Sequence, residues 1–232
     1  MRVTSRRLRS GVRLAALLAL VGGLLPVVET TATAPAQAAF GISERKGIDG
    51  CSFDTNAETD AFWFGTPYYN LGVYIGGSAY GGGCSLLSGS EIIYAKNRGW
   101  ESMLLWVGPQ PPCTNISAPK FSSNPTTANQ QGKNEAVAIY NRLIALGIDV
   151  GSTPVIYDFE PWNVSSSSCV AAAKAFIQGF VAQMHLPPAQ KAGLYGSTCA
   201  SGLYHFASIT NRPDFITGAA WDNNPKVSVM PC

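Results

Sequence analysis

The densest chemical signal in the 232-residue sequence is Val155-Ile156-Tyr157-Asp158-Phe159-Glu160-Pro161-Trp162, where an apolar run ends in two acids separated by one residue. Side chains of an extended strand alternate with a period of two, so Asp158 and Glu160 share one face while Tyr157 and Phe159 take the other. Two carboxyls in a partly apolar mouth cannot both ionise cheaply, which lifts the proton affinity of one of them. A carboxylic acid beside a carboxylate is the pair that glycoside hydrolysis uses. The competing reading is that both acids cap the following helix and meet solvent. Asp49, in Gly47-Ile48-Asp49-Gly50, closes an earlier apolar run in the same way and adds a third acid if the two run ends open on one mouth.

Aromatic residues follow the same distribution. Tyr74, Trp106, Trp162, Tyr195 and Trp221 lie at or just past the ends of apolar runs, where flat faces can stack on sugar rings or pack into core and rim. Other chemistries find little support. His185 and His205 are the only histidines and have no metal-ligand spacing, so both read as structural and neither a metal nor a cofactor is expected. Gly76-Gly77-Ser78 lacks the closing glycine of a nucleophile turn, and Gly76 to Gly83 lacks the lysine of a phosphate-binding loop.

These residues need a scaffold, and the pattern supplies one in which strand and helix take turns. Strands are expected at the Gly47 to Gly50 end, Leu71 to Gly76, Met103 to Val107, Pro154 to Phe159, Ala192 to Tyr195 and Phe215 to Trp221. Helices are expected from Asp54 to Phe64 and from Ser88 to Arg98, the latter with a Ser88/Glu91 capping box and Gly99 as its stop. A long helix should run from Thr126 or Thr127 to Gly147, burying Val137, Tyr140, Leu143 and Ile144. Another should begin at Ser165 to Ser168, with Val170, Ala173, Phe176, Ile177 and Phe180 at helical spacing. A fifth, short helix is expected from Cys199 to Ile209.

Such alternation builds a parallel sheet with crossover helices, either doubly wound or closed as a (β/α) barrel. Functional-looking residues at strand ends favour the barrel. A closed barrel has eight strands and about 250 residues. The expected fold is therefore α/β, a TIM-barrel-like wall of about six strands, apparently incomplete at its C-terminal side, built from residues 39–232 as one domain.

Residues 1–38 read as a secretory signal: Arg2, Arg6, Arg7, Arg9 and Arg13, then the apolar run Leu14 to Val28, then small residues around Ala36-Gln37-Ala38. The alternative is a membrane anchor, against which stand Gly22, Gly23 and Pro26. Ser5-Arg6-Arg7 is a weak twin-arginine signal, because Arg9 stands where an apolar residue belongs. The precursor carries 16 basic and 14 acidic residues. Without the first 38 the chain has 11 against 13, a formal −2. That mild balance excludes binding to nucleic acid by phosphate neutralisation, and no stable membrane insertion is expected once the signal is cleaved. Cys51, Cys84, Cys113, Cys169, Cys199 and Cys232 form an even set with no close pairs, which reads as disulfides in an exported protein. Asn115-Ile116-Ser117 and Asn163-Val164-Ser165 have the form of glycosylation sequons.

Gly47-Ile48-Asp49-Gly50-Cys51, Tyr74-Ile75-Gly76-Gly77, Trp106-Val107-Gly108 and Tyr157-Asp158-Phe159-Glu160, in that order, resemble the glycoside-hydrolase-like TIM-barrel domain of unknown function found in secreted actinobacterial proteins. That group is distantly similar to lysozyme-type muramidases. The resemblance implies that Glu160 is the general acid and that Asp158 assists by orienting or stabilising the N-acetyl group of the sugar. It makes Asp49 a further active-site carboxylate. It implies a secreted protein that hydrolyses a cell-wall, peptidoglycan-type glycan, with a carbohydrate as its partner. The alternatives are a glycan-binding module without catalysis and a structural envelope role.

Overall fold

Six parallel strands follow one another across the sheet in chain order: β1 (Gly47–Asp49), β2 (Asn70–Gly76), β3 (Glu101–Trp106), β4 (Val155–Asp158), β5 (Ala192–Ser197) and β6 (Phe215–Ala219). The structure, a computed structural model, describes residues 45–50, 55–81, 85–197 and 200–219. The expected signal at residues 1–38, Trp221, and Cys51, Cys84, Cys199 and Cys232 lie outside the described residues.

An unreversed strand order means that every crossover steps the same way. A doubly wound sheet reverses its order at a switch point; this one does not. In a flat sheet β1 and β6 would stand about 24 Å apart, five strand spacings. Yet Asp49 at the end of β1 and Ala219 at the end of β6 line one cavity of about 360 Å³. The sheet therefore curls into a TIM-barrel-like wall, with six strands among the described residues.

Local signals place the helices. Thr55 caps α1 (Asn56–Gly65) by accepting the Glu58 N–H. Ser88 and Glu91 form the expected reciprocal box at the start of α2 (Gly89–Arg98), and Gly99 ends it in the left-handed region. The third helix, α3 (Pro125–Ala145), starts slightly before the expected threonines because Asn124 accepts the Thr127 N–H and Pro125 occupies the first turn. Ser166 precedes α4 (Ser167–Met184). The expected fifth helix is only a 3₁₀ turn, Leu203–Ser208.

The face of α3 differs from the expectation. Val137 and Ile144 are exposed at 44% and 69%, while Ala128, Gly132, Ala136, Ile139 and Leu143 are buried. Small residues win this face because α4 lies very close. A Cβ on Gly132 would stand 2.0 Å from the Phe176 carbonyl oxygen, and one on Gly179 would stand 2.1 Å from that of Asn129. Larger apolar residues at those positions would force the helices apart. The close approach lets Phe176 stack on Phe121 at 4.3 Å and Phe180 meet Tyr157 edge-on at 5.3 Å.

Strand β4 shows how this core positions the acids. Val155, Tyr157 and Phe159 are fully buried in the helix-side core. By the period of two, Ile156 and Asp158 face the inside of the curl. Leu105 and Asp49 share that inner side, since a Cβ on Gly72 would touch both.

Candidate active site at the strand ends

Beyond Asp158 the chain leaves the sheet but stays extended, because the Phe159 N–H donates to the Tyr195 carbonyl at 2.9 Å. A second restraint comes from Gln110, which is fully buried. Its side-chain amide nitrogen donates to the carbonyls of Gly108 and Asp158, each at 2.9 Å, and its side-chain oxygen accepts the Glu160 N–H at 2.8 Å. One residue thus fixes the backbone on both sides of Phe159 and holds the two acids on a common path. The sequence gives little warning of this, as Gln110 lies in a proline-rich loop 48 and 50 residues before its partners.

Asp49, Tyr74, Asp158, Glu160 and Tyr195 line one cavity together with backbone and small residues of the β4, β5 and β6 ends. Asp49 is exposed and Glu160 partly so, whereas Asp158 retains only 6% of its exposure. Its Oδ1 is buried without a hydrogen-bond partner. Burial, then the neighbouring Glu160 and Asp49 charges, push the Asp158 carboxyl up to about 7. The cleft floor thus holds a carboxyl that is protonated over much of the neutral range.

The two tyrosines belong to the same electrostatic unit. Tyr74 Oη donates to Asp49 Oδ2 at 3.4 Å, and burial followed by the Asp49 and Asp158 charges raises its phenol. Tyr195 is raised by burial and then by Asp49, Asp158 and Glu160. Both stay neutral donors at physiological pH and can offer O–H groups to a polyhydroxylated ligand.

The tryptophans are placed differently. Trp106 points to the helix side, where its indole N–H donates to Glu135 on α3 at 2.7 Å. That carboxyl is raised by burial and, to a lesser extent, lowered by the indole bond. Trp162 is 6% exposed; its N–H donates to the Ser201 carbonyl at 2.8 Å, and its ring borders a neighbouring cavity rather than the acids. Strand parity explains Trp106, which is one residue out of phase with Leu105 on the inner face. No cluster of three His, Cys, Asp or Glu among the described residues is arranged to hold a metal ion.

A cleft of carboxyls and phenols at the C-terminal ends of a parallel, singly wound sheet defines a glycoside-hydrolase-like (β/α) barrel domain. The chain belongs to the Rv2525c-like, glycoside hydrolase-like domain family, whose pattern matches residues 60–230. Among solved structures it is similar to an uncharacterized B. stearothermophilus protein, at 16% identity and a TM-score of 0.56, over 80% of this chain and 84% of that one. It is also similar to PbGH5A, a glycoside hydrolase family 5 enzyme from Prevotella bryantii B14, at 11% identity and a TM-score of 0.49, over 76% of this chain and 63% of that one. The endo-beta-mannanase/endo-beta-glucanase PbGH26A-GH5A of Prevotella bryantii follows at 12% identity and a TM-score of 0.47, over 76% of this chain and 32% of that one. No curated protein matches the chain.

Proposed function

We propose that this protein is a secreted glycoside hydrolase that cleaves N-acetylated cell-wall glycan of the peptidoglycan type. The observation that carries this reading is the joint lining of one cleft by Asp49, Asp158 and Glu160, with the innermost acid held near neutrality in its proton affinity. Export is supported by the arginine-rich, then apolar, start of the sequence and by the Cys113–Cys169 disulfide, a bond that persists in oxidising compartments.

Near neutral pH the proton of this cleft is held by Asp158, and the substrate decides where it goes. An acetamido N–H donated to Asp158 favours the ionised form of that group. The proton that Asp158 gives up passes to Glu160, the more exposed of the two acids. The acetamido oxygen then bonds to the anomeric carbon while the bond to the leaving oxygen breaks. Glu160 gives the leaving oxygen its proton, and Asp158 draws the acetamido proton. Water next adds to the anomeric carbon as its bond to the acetamido oxygen breaks, Glu160 recovers a proton from that water, and Asp158 returns its own to the acetamido nitrogen. Asp49, with the Tyr74 hydroxyl on it, faces the positive charge that develops on the sugar ring.

Incubating the chain from Ala39 onward with purified peptidoglycan and measuring new reducing ends tests the proposal. Release that falls by about 10²–10⁴ in Glu160→Gln supports it; release unchanged in that variant removes Glu160 as the acid. Co-sedimentation with cell wall without any release would make the cleft a binding site.

A further inference from the structure

A second cavity adjoins the acid cleft. It has a volume of about 550 Å³ and is lined, among the described residues, by Asn115, Ile116, Pro161, Trp162, Asn163 and Ala200 at its main walls. Pro161 lines both cavities. Ser201 connects them as well: it lines the acid cleft, and its carbonyl anchors the Trp162 indole that forms the base of the second cavity. The two cavities therefore meet at Pro161, the residue that follows Glu160.

The walls are tied down from several directions. Thr114 Oγ1 donates to the Pro161 carbonyl at 2.7 Å, the Asn163 N–H donates to the Cys113 carbonyl at 3.2 Å, and Cys113 is bonded to Cys169 at the start of α4. Lys120 Nζ, the nearest cation of this loop, is turned onto the Thr114 carbonyl at 2.7 Å. The cavity is thus a preformed space within the size range of small-ligand sites.

Its chemistry selects the occupant. Among the described residues no charged side chain lines it, so these walls provide no counter-charge for a phosphate, a uronic acid or the ionised groups of a peptide. Asn115 keeps a side-chain amide that makes no hydrogen bond within the described protein, and Asn163 uses only its oxygen, which accepts the Ser165 N–H at 3.1 Å. Beside these free amide groups stand the apolar surfaces of Ile116, Pro161 and Ala200. Hydroxyl and amide groups next to a methyl and ring C–H surface are what an uncharged N-acetylated sugar presents.

We propose that this cavity is a second saccharide subsite, which takes the neighbouring N-acetylated, uncharged sugar unit of the chain whose linkage lies over the acids. The inference rests on the proposed glycan-cleaving reading and names the part of the substrate that the acid cleft does not hold.

The test uses β-1,4-linked oligomers of N-acetylglucosamine, two to six units long, with the full chain and with Ile116→Trp and Asn115→Ala. Both positions are exposed, so the fold is retained; thermal unfolding of each variant checks this. Calorimetric affinity is measured in the Glu160→Gln background, where no cleavage interferes, and kcat/KM in the parent. The subsite requires affinity to rise with length in the parent cleft and this gain to fall about tenfold in Ile116→Trp. The disaccharide should be unaffected, and the loss in kcat/KM on long oligomers should reside in KM. Equal losses on short and long oligomers, or no dependence on length, overturn the subsite. A parent protein that binds long oligomers in an Ile116-dependent way but releases no reducing ends contradicts the hydrolase reading and leaves the subsite standing.

Discussion

Replacing Asp158 with Asn should stabilise the protein while disabling the site, and the gain should depend on pH in a defined way. The Asp158 carboxyl is buried beside Glu160 and Asp49, which moves it from the ordinary 3.8 to about 7. Because the folded chain holds this proton more tightly than the unfolded chain, stability falls as pH rises through the window from about 4 to about 7. Below that window both states are protonated and the penalty is absent. Above it both are ionised and the penalty is complete. Three units at 1.36 kcal/mol each set an upper bound of about 4 kcal/mol, and relaxation around the charge reduces the expected gain at pH 8 to roughly 2–4 kcal/mol. Asn keeps the shape and cannot ionise, so the parent and Asp158→Asn should have similar stabilities at pH 4 and diverge up to pH 7, then run parallel. Urea unfolding at half-unit pH steps, with unchanged slopes as the check for a common unfolding reaction, measures this. A difference that stays constant from pH 4 to pH 8, or one that grows toward acid, would refute the electrostatic account of the cleft.

The remaining expectations are narrower. Activity on glycan should decline as pH rises through about 7, since Asp158 then loses the proton that the cleft delivers; the kcat/KM profile of the parent measures it. Glu160→Gln should be restored by substrates with good leaving groups such as aryl glycosides, which need no proton, whereas Asp158→Asn should not. Gln110→Leu should destabilise the fold by about 2–4 kcal/mol, as it leaves the Asp158 carbonyl and the Glu160 N–H buried without their partner; urea unfolding measures it. Replacing both Cys113 and Cys169 with Ala opens a loop with a sequence separation of 56 and should lower stability by about 2–4 kcal/mol, read from the same urea transitions.

Much of the scaffold was legible because its signals are local. The Ser88/Glu91 box and Gly99 mark both ends of α2 by themselves, and the apolar runs locate the six strands found among the described residues. The acids were legible for the same reason: a period of two puts Asp158 on the face opposite Tyr157 and Phe159 wherever the strand lies. The face of α3 was not, because bulky Val137 and Ile144 look like core until the closeness of α4 makes Gly132 and Ala136 the packing surface. Nor was Gln110, whose role depends on a strand end far along the chain. The acceptors of Trp106 and Trp162 were not legible either, because they come from other elements. Each has its indole N–H committed to a protein acceptor, Glu135 and the Ser201 carbonyl respectively.

Whether the acids at the strand ends cut glycan is decided by reducing-end release from purified peptidoglycan at pH 6, comparing the chain from Ala39 onward with its Glu160→Gln variant at equal concentration. Release by the parent and a loss of about 10²–10⁴ in the variant are expected. No release by a folded parent protein, or equal release by both, would contradict cleavage by these acids.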